Sequence, residues 1–271
     1  MIPQANITAW RANAPWPDDA QVEQDLVLTR ALIQLFSAPE LAGMIGLRGG
    51  TALHKLFLQP ACRYSDDVDL VQTKAGPIGV LLDAIRSNLD PWLGRLTRSR
   101  AEGGVALVYR FESEIPPVRP LRLKIEINTR EHFTILGFAN RHTTADNPWY
   151  SGSAEVMTYE IDELLGTKLR ALYQRRKGRD LFDLWLSISR KVIDPERIVT
   201  CFGEYMQREG HSVSRAQFEQ NLHGKESDSA FRGDIKPLLR ADVDYDAAMA
   251  MAQVKHVIVE RVPGAPWRGS A

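Results

Sequence analysis

Two short stretches hold the residue types that can do chemistry. In "RYSDDVDLV", residues 63–71, Asp67 and Asp69 are one residue apart. On a strand both carboxylates then leave the same face, while Val68 and Leu70 turn toward a core. Two carboxylates on one face can share a divalent cation. Mg²⁺ is usually bound by one or two carboxylates, with substrate phosphates completing an octahedral oxygen shell. In "LRGGTALHKLF", residues 47–57, Gly49 and Gly50 stand immediately before a run of helix formers. Glycines at the mouth of a helix expose N–H groups that can cradle phosphate oxygens, aided by the positive end of the helix dipole. Thr51 either adds a hydroxyl donor there or caps the helix. Glu126, in "LKIEINT", has the alternation to bring a third acid to the metal face from a neighbouring strand, with Ile125 and Ile127 turned away. Its role is either metal ligand or general base toward an acceptor hydroxyl. A D-x-D pair alone is ordinarily a solvated strand face and a glycine turn alone is as weak; the two on consecutive elements form a far rarer pattern.

The elements that must position these residues follow from periodicity. Apolar residues at Val22, Leu26, Leu28, Ala31, Leu32, Leu35 and Phe36 predict an amphipathic helix. "MIGLRGG" then "TALHKLFL" reads as strand, turn and helix, and "DDVDLVQT" as a strand. A helix over "IGVLLDAIRSNLDPWL" precedes two alternating runs, "VALVYRFES" and "LRLKIEINTRE", expected as neighbouring strands of one sheet. From "TYEIDELLGTKLRALYQRRKGRDLFDLWLSISR" onward the pattern is helical, with Leu164, Leu165, Leu169, Leu172, Leu181, Leu184, Trp185 and Ile188 as core candidates. Residues 1–150 are therefore expected to form a core domain with an N-terminal helix, and residues 151–271 a helical subdomain ending in a loose tail, "VERVPGAPWRGSA".

Composition excludes several classes. The 271 residues include 34 basic and 34 acidic side chains, so the overall field favours neither nucleic acid nor membrane, and any basic site must be local. Cys62 and Cys201 are far apart with no ligand spacing, which suits a reducing compartment and gives no zinc or disulfide framework. The N-terminus lacks a signal pattern and no stretch approaches a membrane span, so a cytoplasmic location is expected. The local field lies between Lys168 and Arg179, with six basic residues and no acid. It is either a solvated helix face or a surface, centred on Arg175, Arg176 and Lys177, that meets the phosphates of an NTP or an RNA.

The glycine turn opening a helix, followed by a strand with Asp67-Val68-Asp69, resembles the nucleotidyltransferase superfold of the DNA polymerase beta type. With "ELLGTKLRALYQRRKGRDLFDLW" it resembles, more narrowly, the AbiEii/AbiGii family of nucleotidyltransferase-like toxins of type IV toxin–antitoxin and phage-abortive systems, which includes the mycobacterial MenT-type enzymes. The similarity spans roughly residues 40–190. Thr51 stands where the superfold often has serine, and Asp66 adds a further acid. The resemblance implies an α+β fold: a nucleotidyltransferase-like mixed sheet with flanking helices, plus the C-terminal helical subdomain. It assigns Asp67 and Asp69 to metal and triphosphate, Ser65 to a neighbouring hydroxyl, and Gly49, Gly50 and Thr51 to the nucleotide. It places Lys168 near the triphosphate, and either Asp180 or Asp183 at the site's edge; on the residues alone, Lys168 is an exposed helix lysine. It further implies Mg²⁺, or Mn²⁺ in its place, an NTP substrate, the 3′ end of tRNA as acceptor, and a cognate antitoxin. Nucleotidylylation of a protein or of a small molecule such as an aminoglycoside is the alternative within the superfold, and an inactive NTP- or RNA-binding module the alternative outside catalysis. His54 and Lys55, one turn after the cradle, read either as helpers in phosphate binding or, more simply, as plain helix surface.

Overall fold

The computed structural model describes residues 2–101 and 103–269. The chain divides into two compact units, Met1–Tyr159 and Glu160–Ala271. The boundary falls after residue 159 and not at 150, because a last strand still belongs to the first unit's sheet.

The first unit opens with helices α1 (Gln4–Trp10) and α2 (Asp19–Ser37). Asp18 caps α2 by accepting from the Ala20 N–H at 2.9 Å, satisfying one of the donors a helix start leaves open. Strand β1 (Ile45–Arg48) runs directly into a one-turn helix, α3 (Gly49–Ala52), which widens into a π-helical turn at Leu53–Phe57. There follow β2 (Asp67–Gln72), α4 (Ile78–Leu93), β3 (Thr97–Ala101), β4 (Gly104–Glu112), β5 (Pro120–Asn128), β6 (Phe138–Asn147) and β7 (Tyr150–Tyr159). The strands form a seven-stranded sheet in the order β3-β4-β5-β2-β1-β7-β6. It is mixed: β2 runs parallel to β5 and β1 parallel to β7, and the remaining neighbours are antiparallel.

Alternation decides which face is covered. Val68 and Leu70 of β2, Leu107 and Tyr109 of β4, and Leu123, Ile125 and Ile127 of β5 are all buried. Each such apolar side chain contributes roughly 1.5–3 kcal/mol by leaving water. Helix α4 lies on this face, where the Tyr109 hydroxyl donates to Asp90 at 2.7 Å. The intervening residues, Asp67, Asp69, Lys124 and Glu126, are only half-buried and share the opposite face.

The second unit is helical: α5 (Ile161–Gln174), α6 (Gly178–Ser189), α7 (Pro195–Arg208), α8 (Arg215–Glu226), α9 (Ser229–Gly233) and α10 (Ala247–Val257). The later helix starts carry side-chain caps: Asp194 before Pro195, a capping box between Ser214 and Gln217, Asp228 before α9 and Asp246 before α10. Helices α5 and α7 cross closely at Gly166, where a methyl group would lie 2.6 Å from the Cys201 Cβ. The expected tail is not loose. Val259 and Val262 are buried, the Arg215 N–H bonds to the Pro263 carbonyl at 2.9 Å, and the Trp267 N–H reaches Glu219 at 2.8 Å. Among the described residues no helix is long and apolar enough to cross a membrane.

Candidate active site

The sheet's open face is built around the β1–α3 turn and the first residues of β2. Gly49 has φ +76°, a left-handed conformation that other residues adopt only with strain. A Cβ there would lie 2.0 Å from Asp69 Oδ2. Glycine is therefore needed twice over, for its backbone angle and for the approach of the carboxylate to the turn. Gly50 is equally confined, because a Cβ would meet Arg63 Nη2 at 2.4 Å and Ser65 Oγ at 3.1 Å. Arg63 is itself buried under the turn and donates to the Tyr64 carbonyl at 2.9 Å.

Thr51 is fully buried. Its Oγ1 sits 2.9 Å from Ser65 Oγ and 2.5 Å from the Asp67 carbonyl oxygen, and no side chain caps α3. The hydroxyl thus ties the turn to the start of β2; both readings made from the sequence, helix cap and outward-facing donor, give way to this inward bond. Lys55 and His54 are not helix surface either. His54 is buried, and Lys55 donates to Asp25 at 2.6 Å and to Thr29 at 2.9 Å. The buried Asp25 carboxylate also accepts from the indoles of Trp10 and Trp16 at 2.9 and 3.3 Å, so the N-terminal segment and the turn after the cradle share one acid.

Register sets the acids against their neighbours. In the parallel β2–β5 pair Asp69 faces Glu126 and Asp67 faces Lys124. Lys124 forms an ion pair with Glu126. On β1, Arg48 stands opposite Asp69 and is ion-paired with Glu131, which Asn128 holds at 3.1 Å. Asp67 Oδ1 is buried without a hydrogen-bond partner, an arrangement that costs free energy unless a ligand satisfies it. Burial, then the carboxylates of Asp66 and Asp69, push the Asp67 carboxyl up to about 6, against the pull of Lys124. Among the described residues no three His, Cys, Asp or Glu side chains converge as a ready cage for an ion. Asp67 and Asp69 offer instead the incomplete, two-carboxylate arrangement that suits Mg²⁺ when phosphates supply further oxygens. Glu126, expected as a third metal ligand, is engaged by Lys124.

In the second unit, Lys168 of α5 is buried, with its ammonium 3.1 Å from Asp180 Oδ1 and 3.0 Å from Asp183 Oδ2 on α6. Arg175 donates to Asp180 through Nε at 2.7 Å and Nη2 at 2.9 Å. Burial alone would raise the Asp180 carboxyl; Lys168 and Arg175 outweigh it and hold the group below its ordinary range. Tyr245 places a buried hydroxyl without a hydrogen-bond partner in the same unit, where burial and the charges of Asp246 and Asp183 push its ionisation upward.

The profile of the nucleotidyl transferase AbiEii toxins, a type IV toxin–antitoxin system, matches residues 30–252. The chain belongs to the AbiEii family. Among solved structures it is similar to the nucleotidyltransferase toxin MenT4 of Mycobacterium tuberculosis H37Rv, with 16% identity, a TM-score of 0.67, and coverage of 94% of this chain and 88% of that one. At that identity the likeness is one of fold. A nucleotidyltransferase-like antigenic protein of Paracoccidioides brasiliensis, also 16% identical, covers 75% of this chain and 96% of its own with a TM-score of 0.38. No curated protein matches the sequence.

In this AbiEii-family chain the first unit gathers Gly49, Gly50, Thr51, Ser65, Asp67, Asp69 and Glu126, and the second gathers Lys168, Asp180 and Asp183. Two further expectations are corrected. Lys168 is not an exposed helix lysine: it stands four residues from both Leu164 and Leu172, on the stripe that α5 buries. That spacing was visible in the sequence. The basic run is not an unopposed field. Arg170 pairs with Glu209 at 2.8 Å, Arg176 with Asp228 at 3.2 Å, Lys177 with Asp234 at 3.4 Å and Arg179 with Asp234 at 3.6 Å, while Lys168 and Arg175 hold Asp180. The run is free of acids along the chain, but acids distant in sequence fold onto it. Lys124 was passed over, although the alternation of "LKIEI" puts it on the Glu126 face; nothing in the sequence marks Arg63 as a buried support of the turn.

Proposed function

We propose that this protein is a Mg²⁺-dependent nucleotidyltransferase that moves a nucleoside monophosphate from an NTP to the 3′ end of tRNA, arresting translation and growth until a cognate antitoxin restrains it in the cytoplasm. Family membership supports the reaction class. The observation that carries the site is Asp67 with its partnerless buried Oδ1, beside Asp69, whose carboxylate abuts the left-handed Gly49 turn. A divalent ion held by Asp67 and Asp69 would supply charge neutralisation of the triphosphate. The turn's backbone N–H groups orient the phosphates. The acceptor oxygen bonds to the α-phosphorus, the bond to the β-phosphate oxygen breaks, and pyrophosphate leaves. The acceptor's proton passes to a carboxylate of this face, for which Glu126 is suited once an incoming group displaces Lys124 from it. Lys168 can serve a triphosphate only by exchanging one of its two carboxylate partners; in the structure it positions Asp180 and Asp183.

Each of the four NTPs, labelled on the α-phosphate, should be incubated with tRNA, protein extract and an aminoglycoside in parallel. Label on the tRNA 3′ end supports the reading. Label on protein or aminoglycoside alone overturns the acceptor, and no label anywhere overturns the reaction.

A further inference from the structure

The face that carries the acids continues, along β4 and β5, into a pair of arginines. In the antiparallel register Arg110 lies directly opposite Arg122, as Val108 lies opposite Lys124. Opposed residues of neighbouring strands project from the same side of a sheet, as do residues two apart on one strand. Arg110 and Arg122 therefore share the face of Lys124, Asp67, Glu126 and Asp69, and Arg122 stands about 7 Å along its strand from Lys124. Both arginines are exposed. Among the described residues neither forms an ion pair, and Arg110 donates only to Thr97 Oγ1, at 3.0 Å.

Like charges directly opposed across two strands destabilise a sheet. The β2 ladder meets β5 only from Lys124 onward, so Arg122 also guards an open stretch of edge, but edge protection does not call for a second arginine directly opposite it. An anion between the two guanidinium groups removes the repulsion, and the planar fork of arginine matches phosphate oxygens in pairs. The basic run of the second unit, by contrast, is already neutralised by its own acids.

We propose that Arg110 and Arg122 form the docking surface for the sugar–phosphate backbone of a single-stranded nucleic-acid acceptor, aligned so that its terminal hydroxyl reaches the Asp67–Asp69 end of the face. This rests on the nucleotidyl-transfer reading and locates its acceptor. Contacts of this kind position a strand without reading its sequence, so the surface sets affinity and register and leaves base choice to other groups.

The test measures binding of unfractionated tRNA and of a short unstructured RNA oligonucleotide across a salt series, without NTP, and label transfer in a separate assay. The Arg110→Ala/Arg122→Ala variant should bind about tenfold more weakly at low salt. Its plot of log affinity against log salt should be shallower by about 1.4, from two lost single-strand phosphate contacts. NTP affinity should not change, and Arg176→Ala/Lys177→Ala should keep the wild-type slope. Arg110→Ala alone should raise Tm slightly by removing the opposed charge, and a melting curve of the double variant with a Tm no lower than the wild type's shows that loss of binding is not loss of fold. Wild-type affinity and slope in the double variant overturn the surface. Failure of the wild type to bind either RNA at low salt overturns it too, and an acidic protein surface then becomes the fitting occupant. A wild type that transfers label while the double variant still binds normally overturns the surface alone. A wild type that transfers no label from any NTP overturns the parent reading, whatever the arginines do.

Discussion

Replacing Asp67 with Asn should stabilise the metal-free protein at about pH 8 while abolishing transfer. The carboxyl is raised from 3.8 to about 6, by burial first and then by Asp66 and Asp69. The sign follows from linkage. Below about pH 4 the group is protonated in folded and unfolded chains alike and costs nothing. Between about 4 and 6 the folded protein keeps a proton that the unfolded chain has released, so stability falls as pH rises. Above about 6 both states are ionised and the full cost is present. At about 1.4 kcal/mol per unit the shift amounts to roughly 3 kcal/mol, and partial solvent access reduces the expected effect to about 1–3 kcal/mol. Urea unfolding of wild type and Asp67→Asn in the presence of a chelator, at about pH 8 and about pH 4, should show a stability gain for the variant at the higher pH that vanishes at the lower. Adding Mg²⁺ and NTP should stabilise the wild type by mass action, by about 2.7 kcal/mol at a hundredfold excess over Kd, and leave the variant unmoved. A variant destabilised by more than about 1 kcal/mol at pH 8 would refute the reasoning, because Asp67 would then be a paired structural carboxylate.

Gly49→Ala should cost about 1–2 kcal/mol from its left-handed backbone alone and should also displace Asp69; a melting curve and a turnover assay should both fall, and normal turnover would show that the contact with Asp69 is dispensable. Lys168→Met should lose about 3 kcal/mol, since removing one partner leaves two buried carboxylates sharing fewer cations. Because Asp180 is held below its ordinary range, the stability it contributes is present above that range and disappears as pH falls through the lowered value, so chemical unfolding of wild type and variant should converge in acid. Lys55→Met should cost about 3 kcal/mol by stranding Asp25 among its two indoles, and a shift in tryptophan fluorescence should accompany it; an unchanged spectrum and midpoint would show the network to be incidental.

The fold was legible where alternation is strict. In "DVDL" and "LKIEI" every second residue is apolar, and Val68, Leu70, Leu123, Ile125 and Ile127 are the ones buried. The β6–β7 hairpin was not read, because "FANRHTTADN" is a polar edge strand whose exposed residues leave no period to follow. The interruption of the helix after Ala52 by a π-helical turn was equally hidden, since "TALHKLFL" consists of ordinary helix formers and only the fold turns Lys55 toward Asp25. In the site, same-face placement of Asp67 and Asp69 followed from spacing. The Lys124–Glu126 pair was open to the same spacing argument, both lying two apart on β5; the inward Thr51 and the placement of Glu126 beside Asp69 depend on which strand lies beside which, and the neighbours β5 and β2 are distant in the chain. Neutralisation of the basic run depends on Asp228 and Asp234, some fifty residues away.

The most direct test of nucleotidyl transfer compares the fate of two labels on one NTP in a single turnover with tRNA. The account predicts that α-phosphate label stays on the RNA while γ-phosphate label leaves as pyrophosphate, and that both signals disappear in Asp67→Asn and Asp69→Asn. γ-Label retained on the acceptor with α-label left in a nucleoside diphosphate would make the reaction a kinase step and contradict the account.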